Sequence, residues 1–230
     1  MGRRSSRSDE GAFVVEGRIL IEQAIAAGWN IEAQFVAPDG QAVPCEAPVY
    51  MLAPSVIERV ASTESPQRVL AVVAVRPMAL PASPSFVMAA HHVSDPGNAG
   101  TIIRSGEAAG ADAVAFTPGS VDVFNPKVVR SSAGSLFRIP VVEATLADLT
   151  KSGLRVLATS SHQGQPYTSV DLTGPVAVVV GNEAHGVPDD AAIDGWITIP
   201  HSGAAESLNV AMAATVLAFE VARQRRETLR

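Results

Sequence analysis

The 230-residue chain has one cysteine, Cys45, which excludes an internal disulfide and any metal site built on paired thiolates. That usage suits a reducing compartment, and Cys45 reads as a small filler of a loop. Charge is sparse: 17 basic and 23 acidic residues make up 17% of the chain, against about 25% in average proteins. With 47% apolar residues, global disorder is excluded. Long apolar runs are missing as well. Those at hand, such as residues 69–75, are strand-sized and far short of the roughly 18 residues that span a bilayer, so a soluble protein with no membrane partner is expected. The opening MGRRSSRSDEG lacks the apolar segment of a signal peptide, which makes a cytoplasmic location the expectation. The net charge of −6 argues against a protein that coats nucleic acid non-specifically, because such binding neutralises many phosphates, yet it leaves room for a local basic groove. Arg3, Arg4 and Arg7 at one end, and Arg223, Arg225 and Arg226 at the other, read as solvated tails.

The length admits one large core or two smaller ones. RPMALPASPS, residues 76–85, carries three prolines and can continue neither a helix nor a central strand. The chain therefore divides into residues 12–76, a linker at 77–85, and residues 86–230. In the first part, strands are predicted at 13–16, 31–37, 48–52 and 69–75, with helices at 17–27 and 54–62. In the second, strands at 86–91, 113–117, 155–159, 176–180 and 196–199 alternate with helices at 99–109, 126–133, 146–152 and 207–226. This alternation is the pattern of an α/β fold, a mainly parallel sheet covered by helices. The last helix is apolar on two sides: Leu208, Met212, Thr215, Val216 and Phe219 mark one face, Val210, Ala214, Leu217 and Val221 the other. Either the domain interior or a partner subunit must cover the second side.

Three segments carry polar residues where the predicted strands end. In SDPGNAGTIIRSGEAAG, residues 94–110, Asn98 is suited to cap the following helix, and Gly97 with Gly100 leaves room for a ligand to approach. Arg104, six residues on, projects a planar fork near the same mouth. In VAVVVGNEAHGV, residues 176–187, a buried strand runs into Gly181, Asn182 and Glu183, where ligands of open α/β sheets bind; a plain loop with a helix-capping Asn182 is the other reading. In IPHSGAAESLNV, residues 199–210, Ser207 can cap the final helix, while Asn209 stands inside its first turn, where a polar residue is harder to explain. The three strand ends suggest one composite site. A GxGxxG fingerprint is absent, which sets a nucleotide-dependent oxidoreductase aside.

Together these segments resemble the SpoU branch of the SPOUT superfamily, the S-adenosylmethionine (AdoMet)-dependent RNA ribose 2′-O-methyltransferases often called TrmH-like. The resemblance spans residues 86–226 and rests on three motifs in order: Asn98, Gly100 and Arg104; then Gly181, Asn182, Glu183 and Gly186; then Ile199, Pro200, Gly203, Ser207, Leu208 and Asn209. Residues 125–141, NPKVVRSSAGSLFRIPV, also look like the family. Residues 12–76 resemble, less specifically, the L30e-like RNA-binding domain that precedes many members. Two departures stand out. His91 and His92 occupy a place where members commonly end a more apolar strand, and His201 stands where methionine is frequent.

The resemblance implies a carboxyl-terminal trefoil knot, a homodimer, AdoMet as cofactor and no metal. It assigns Thr159, Gly181, Asn182, Glu183, Ile199, Pro200, Ser207 and Leu208 to the cofactor pocket. It makes Arg104 the catalytic arginine, with Asn98, Glu183, Ser207 and Asn209 organising the site. Arg104, Lys127, Arg130 and Arg138, with Arg18 and Arg68 on the first part, are the candidates to meet RNA phosphates. The extra amino-terminal domain favours ribosomal RNA over transfer RNA, and a tRNA methyltransferase or a non-catalytic RNA-binding relative is the alternative. Because an arginine with a pKa above about 12 is a poor base at neutral pH, Arg104 is expected to grip a phosphate and stabilise the developing alkoxide, with proton loss to phosphate or water. A base role for Arg104 after it gives up a proton, or for Glu183, stays open.

Overall fold

The computed structural model describes residues 4–53, 55–56, 67–182, 184–188, 191–204 and 206–228. Two sheets carry the architecture. The smaller joins strands β1 (Ala12–Glu16), β2 (Ile31–Val36), β3 (Val49–Met51) and β4 (Val69–Ala74) in the order β1-β4-β2-β3, with β3 parallel to β2 and the other pairs antiparallel. The helix Arg18–Ala26 packs on it. The predicted helix at 54–62 lies mostly outside the described residues.

The larger sheet is parallel throughout and joins β5 (Phe86–Ala90), β6 (Ala113–Phe116), β7 (Val141–Glu143), β8 (Arg155–Thr159), β9 (Gln165–Pro166), β10 (Val176–Val180) and β11 (Gly195–Thr198). Its order is β7-β6-β5-β10-β8-β11-β9. Every residue of β5 and β10 is buried, as strands covered on both faces must be, and this explains their unbroken apolar runs. After β8 the chain makes the edge strand β9, returns to the centre for β10, and then inserts β11 between β8 and β9. The carboxyl ends of β10, β8 and β11 therefore stand side by side.

Helix starts differ from expectation. The first helix of the large sheet spans Pro96–Ala108 and is capped by Asp95, whose Oδ1 accepts the Asn98 N–H at 2.8 Å; Asn98 is inside the helix and is not its cap. Proline at the first position explains the shift, since that position needs no N–H donor. The final helix spans Val210–Thr228, and Asn209 rather than Ser207 caps it, with Oδ1 accepting the Ala211 and Met212 N–H groups at 2.9 and 3.3 Å. Residues 126–133 do not form one helix. It ends at Ser131, and Ala133 and Gly134, at φ 48° and 86°, turn the chain into a second short helix, Ser135–Arg138.

The two sheets share no strand, and residues 75–85 between them form none, yet one apolar core runs across both. Phe13 and Trp29 meet Phe124 and Phe137 at ring distances of 4.7 to 6.5 Å. The Trp29 Nε1–H donates to the Phe137 carbonyl at 3.0 Å. Arg7, on the helix Arg4–Glu10, is buried and bonds Asp122 through both Nε and Nη2. Arg7 and two of the final arginines are thus no solvated tail: Arg225 lies over the Phe86 ring and donates to the Ser85 and Gly174 carbonyls, and Arg223 pairs with Glu220 and Glu227, whereas Arg4 and Arg226 are exposed and Arg3 lies outside the described residues.

Candidate functional site

A cleft of about 930 Å³ opens where β8, β10 and β11 end, in the size range of small-molecule sites, roughly 300–1,000 Å³. Thr159 at the end of β8, Gly181 and Asn182 after β10, Ile199 after β11, and Ser207 and Leu208 before the final helix all line it. Three segments far apart in sequence reach one place because parallel strands put their following loops at one edge.

The loop after β10 closes on itself. Asn182 and Gly186 exchange two backbone bonds, at 3.1 and 2.8 Å, and the Asn182 Oδ1 accepts the Ala184 and His185 N–H groups at 2.9 and 3.2 Å. Asn182 thus stabilises a closed loop and caps no helix. A Cβ on Gly181 would lie 2.2 Å from the Gly186 carbonyl carbon, so no side chain fits there. Glu183 lies outside the described residues. Pro200 is exposed and is not part of the cleft lining.

Asn98 does not line the cleft, but its Oδ1 accepts from the Asn209 Nδ2 at 3.1 Å. One side chain of the third motif thereby caps the final helix and ties it to the first motif. The glycines of the first motif do not admit a ligand. A Cβ on Gly100 would fall 1.9 Å from the Ser131 Oγ, so its role is close packing of the helices Pro96–Ala108 and Pro126–Ser131, while a Cβ on Gly97 would fall 2.9 Å from the Asp95 Oδ1.

Arg104 is exposed and does not line the cleft. Six helical residues place it about 9 Å along the axis from Asn98 and on another side of the helix, so the two do not share one mouth. Its neighbour Ser105 bonds Thr215 of the final helix at 2.7 Å, so the helix that carries Arg104 packs against the final helix. The other basic candidates mostly have acidic partners: Lys127 with Asp95 at 3.4 Å, Arg18 with Glu22 at 3.1 Å, Arg68 with Asp39 at 3.3 Å. Arg138 donates to both Glu107 oxygens, at 2.7 and 3.0 Å, and to the Gln23 Oε1 at 3.2 Å. The Arg138 bonds also hold the Glu107 carboxyl below its ordinary pKa. Arg138 is a clamp between the two parts of the chain, while Arg130 is exposed.

Sequence reasoning missed the loop Ser160–Ser161–His162–Gln163 and Trp196, which also line the cleft. No motif marks them; only their place after β8 and on β11 could have found them. His201 lines it too, and its Nε2 is buried without a hydrogen-bond partner among the described residues.

Residues 85–219 match the SpoU rRNA Methylase family. The chain belongs to this family. Residues 1–71 match the MRM3-like substrate binding domain. Over 95% of its length this SpoU methylase is 36% identical to the Bacillus subtilis (strain 168) protein named 23S rRNA (guanosine(2553)-2′-O)-methyltransferase RlmP, covering 91% of it. It is 32% identical to the 23S rRNA (uridine(2479)-2′-O)-methyltransferase of Streptomyces viridochromogenes, with 98% of this chain and 87% of that protein aligned. The crystal structure of the SpoU methyltransferase AviRb from Streptomyces viridochromogenes, in complex with the cofactor AdoMet, superposes with a TM-score of 0.89 at 29% identity, covering 97% of this chain and 94% of that one. The cleft of this SpoU methylase suits such a cofactor. It combines apolar walls at Val180, Ile199 and Leu208, a loop closed tightly at Gly181 and Gly186, and the His201 Nε2, unpaired among the described residues, as a polar anchor. The family read from the three motifs is borne out.

Proposed function

We propose that this AdoMet-dependent RNA ribose 2′-O-methyltransferase acts on 23S ribosomal RNA. The observation that carries the reading is that the second and third motifs line one cleft that fits the cofactor, with the first motif tied to the third by the Asn98–Asn209 hydrogen bond. The two 23S rRNA relatives, aligned over nearly the whole chain, favour ribosomal over transfer RNA. Residues 12–76 serve as the L30e-like RNA-binding module, 77–85 as the connection and 86–230 as the methyltransferase domain. The insertion of β11 between β8 and β9 supports a knotted path for the carboxyl-terminal region. The compartment of such a substrate is the cytoplasm. Among the described residues, no helix is long and apolar enough to cross a membrane.

AdoMet supplies an electrophilic methyl group. The ribose oxygen forms the new C–O bond as the S–C bond breaks, and the hydroxyl proton leaves to phosphate or water. Asn209 fixes the start of the final helix against Asn98, so the cleft keeps its shape while the hydroxyl is aligned. Arg104, always charged, grips a phosphate of the target nucleotide and lowers the energy of the developing alkoxide. Ser207 orders the cofactor side of the cleft, and Glu183 is the alternative proton acceptor.

Met212, Val216 and Phe219 of the final helix are exposed, as is Leu208 just before it, while Val210, Ala214, Leu217 and Val221 fill the interior. The core thus takes one face, and a second copy of the chain is proposed to cover the other. Leu208 belongs both to this stripe and to the cleft. Sedimentation at micromolar concentration is expected to give a dimer; a monomer there would leave the stripe without its proposed cover.

The substrate reading is tested by mapping ribose methylation in RNA from cells with and without the protein, where loss of one 23S position is expected. Calorimetry supplies the cofactor arm. Gly181→Ala should abolish AdoMet binding, because the added carbon has no room against Gly186; unchanged affinity would remove the cleft from the mechanism.

A further inference from the structure

The departure at His91 and His92 has a structural setting that no motif accounts for. His92 has φ 53°, a left-handed backbone that side chains other than glycine seldom adopt, although histidine is among the better tolerated. Both of its backbone groups are held. Its N–H donates to the Thr117 Oγ1 at 3.1 Å, and its carbonyl accepts from the Asn182 Nδ2 at 2.8 Å. Thr117 is buried and also lies 3.3 Å from the His91 Nδ1. Burial first, and the neighbouring His92 second, lower the His91 pKa. The Thr117 hydroxyl thus sits between the His92 N–H and the His91 ring.

The His92 ring is fixed as well. It meets the His91 ring edge-on, with centroids 4.3 Å apart and planes at 63°. On another side it rests against Gly119, where a Cβ would lie 3.1 Å from its Nδ1 and Cε1. The residue is otherwise exposed. An aromatic ring so held loses little freedom when a ligand lands on it. Its place is at the end of β5, next to β10, with the cofactor loop attached through Asn182. The Asn98–Asn209 link lies a few residues further along the chain.

We propose that His92 is a stacking platform for the base of the RNA nucleotide whose ribose enters the cleft. Sequence-specific RNA recognition splays bases out of single strands and stacks them on aromatic side chains, histidine included. His92 is not itself part of the cleft lining, but Asn182, which is, holds its carbonyl, and this link puts the ring within the proposed reach of a base whose ribose enters the cleft. The inference rests on the RNA-methyltransferase reading above.

The test first gives wild-type protein and methyl-labelled AdoMet total RNA from cells lacking the protein, which identifies the acceptor. KM and kcat for that RNA are then measured for His92→Gly, His92→Asn and His92→Phe, with AdoMet affinity and Tm alongside. His92→Gly and His92→Asn should raise KM roughly tenfold, the scale of one lost base–aromatic stack, with kcat at saturating RNA and AdoMet affinity little changed. His92→Gly should not lower Tm, since glycine adopts this backbone freely. His92→Phe should recover most of the affinity. An unchanged KM in His92→Gly, or a His92→Phe as impaired as His92→Gly, overturns the platform while leaving the enzyme reading intact. If no RNA accepts the methyl group, the enzyme reading fails and this inference falls with it.

Discussion

Where the two sheets meet, polar atoms are spent on each other; at the carboxyl ends of the strands, they are left over. At the seam, Arg7 is used by Asp122, the Trp29 Nε1–H by the Phe137 carbonyl, and Arg138 by Glu107 and Gln23 together. At the cleft, the His201 Nε2 is buried and has no hydrogen-bond partner among the described residues, and Arg104, exposed and outside the cleft lining, makes no hydrogen bond or ion pair among them. Unpaired buried groups cost stability, so an arrangement that keeps one calls for a function. The seam holds the part that matches a substrate binding domain against the methyltransferase sheet. The cleft holds groups in reserve for cofactor and substrate.

Breaking the seam should give the largest effect. Trp29 is 5% exposed and touches Phe13, Phe124 and Phe137. Trp29→Ala removes that ring and leaves the Phe137 carbonyl unpaired, so a loss of about 3 to 5 kcal/mol is expected. Denaturant unfolding should split into two transitions as the sheets uncouple. Affinity for AdoMet, measured well below the first transition, should stay at the wild-type level because Trp29 does not line the cleft. A single transition at the wild-type midpoint would mean the seam contributes nothing.

The same contrast explains what was legible in the sequence. The strands at Arg155–Thr159 and Val176–Val180 match expectation to the residue: the second is an unbroken apolar run buried throughout, and the first has a buried apolar centre at Val156, Leu157 and Ala158. The helix Arg4–Glu10 was not visible, because RSSRSDE has no apolar face and a single buried arginine holds it from 115 residues away. Edge strand β9 has two residues, too few for any period. At the site, the residues were legible and their duties less so. In the sequence Asn98 reads as a helix cap and Asn209 as a polar residue that is hard to explain, and only the fold brings them into one hydrogen bond. Gly100 looked like room for a ligand and is room for Ser131. Arg104 stood out by spacing, but helix geometry turns it away from Asn98.

That last displacement sets the smaller and sharper test. A group spent on structure loses stability when removed; a group held in reserve should lose only rate. Arg104→Ala leaves no partner unpaired among the described residues, so its Tm is expected within about 1 °C of wild type, as for an exposed substitution free of packing roles. AdoMet affinity should barely move. Single-turnover methylation should fall by about 2 to 4 kcal/mol of transition-state stabilisation, by analogy with a deleted oxyanion donor. Arg104→Lys retains the charge without the planar fork and should recover part of that rate. If Arg104→Ala instead melts early, Arg104 belongs with Arg7 and Arg138 as a structural arginine. If it methylates at the wild-type rate, the alkoxide is stabilised elsewhere, and Glu183 becomes the next residue to replace.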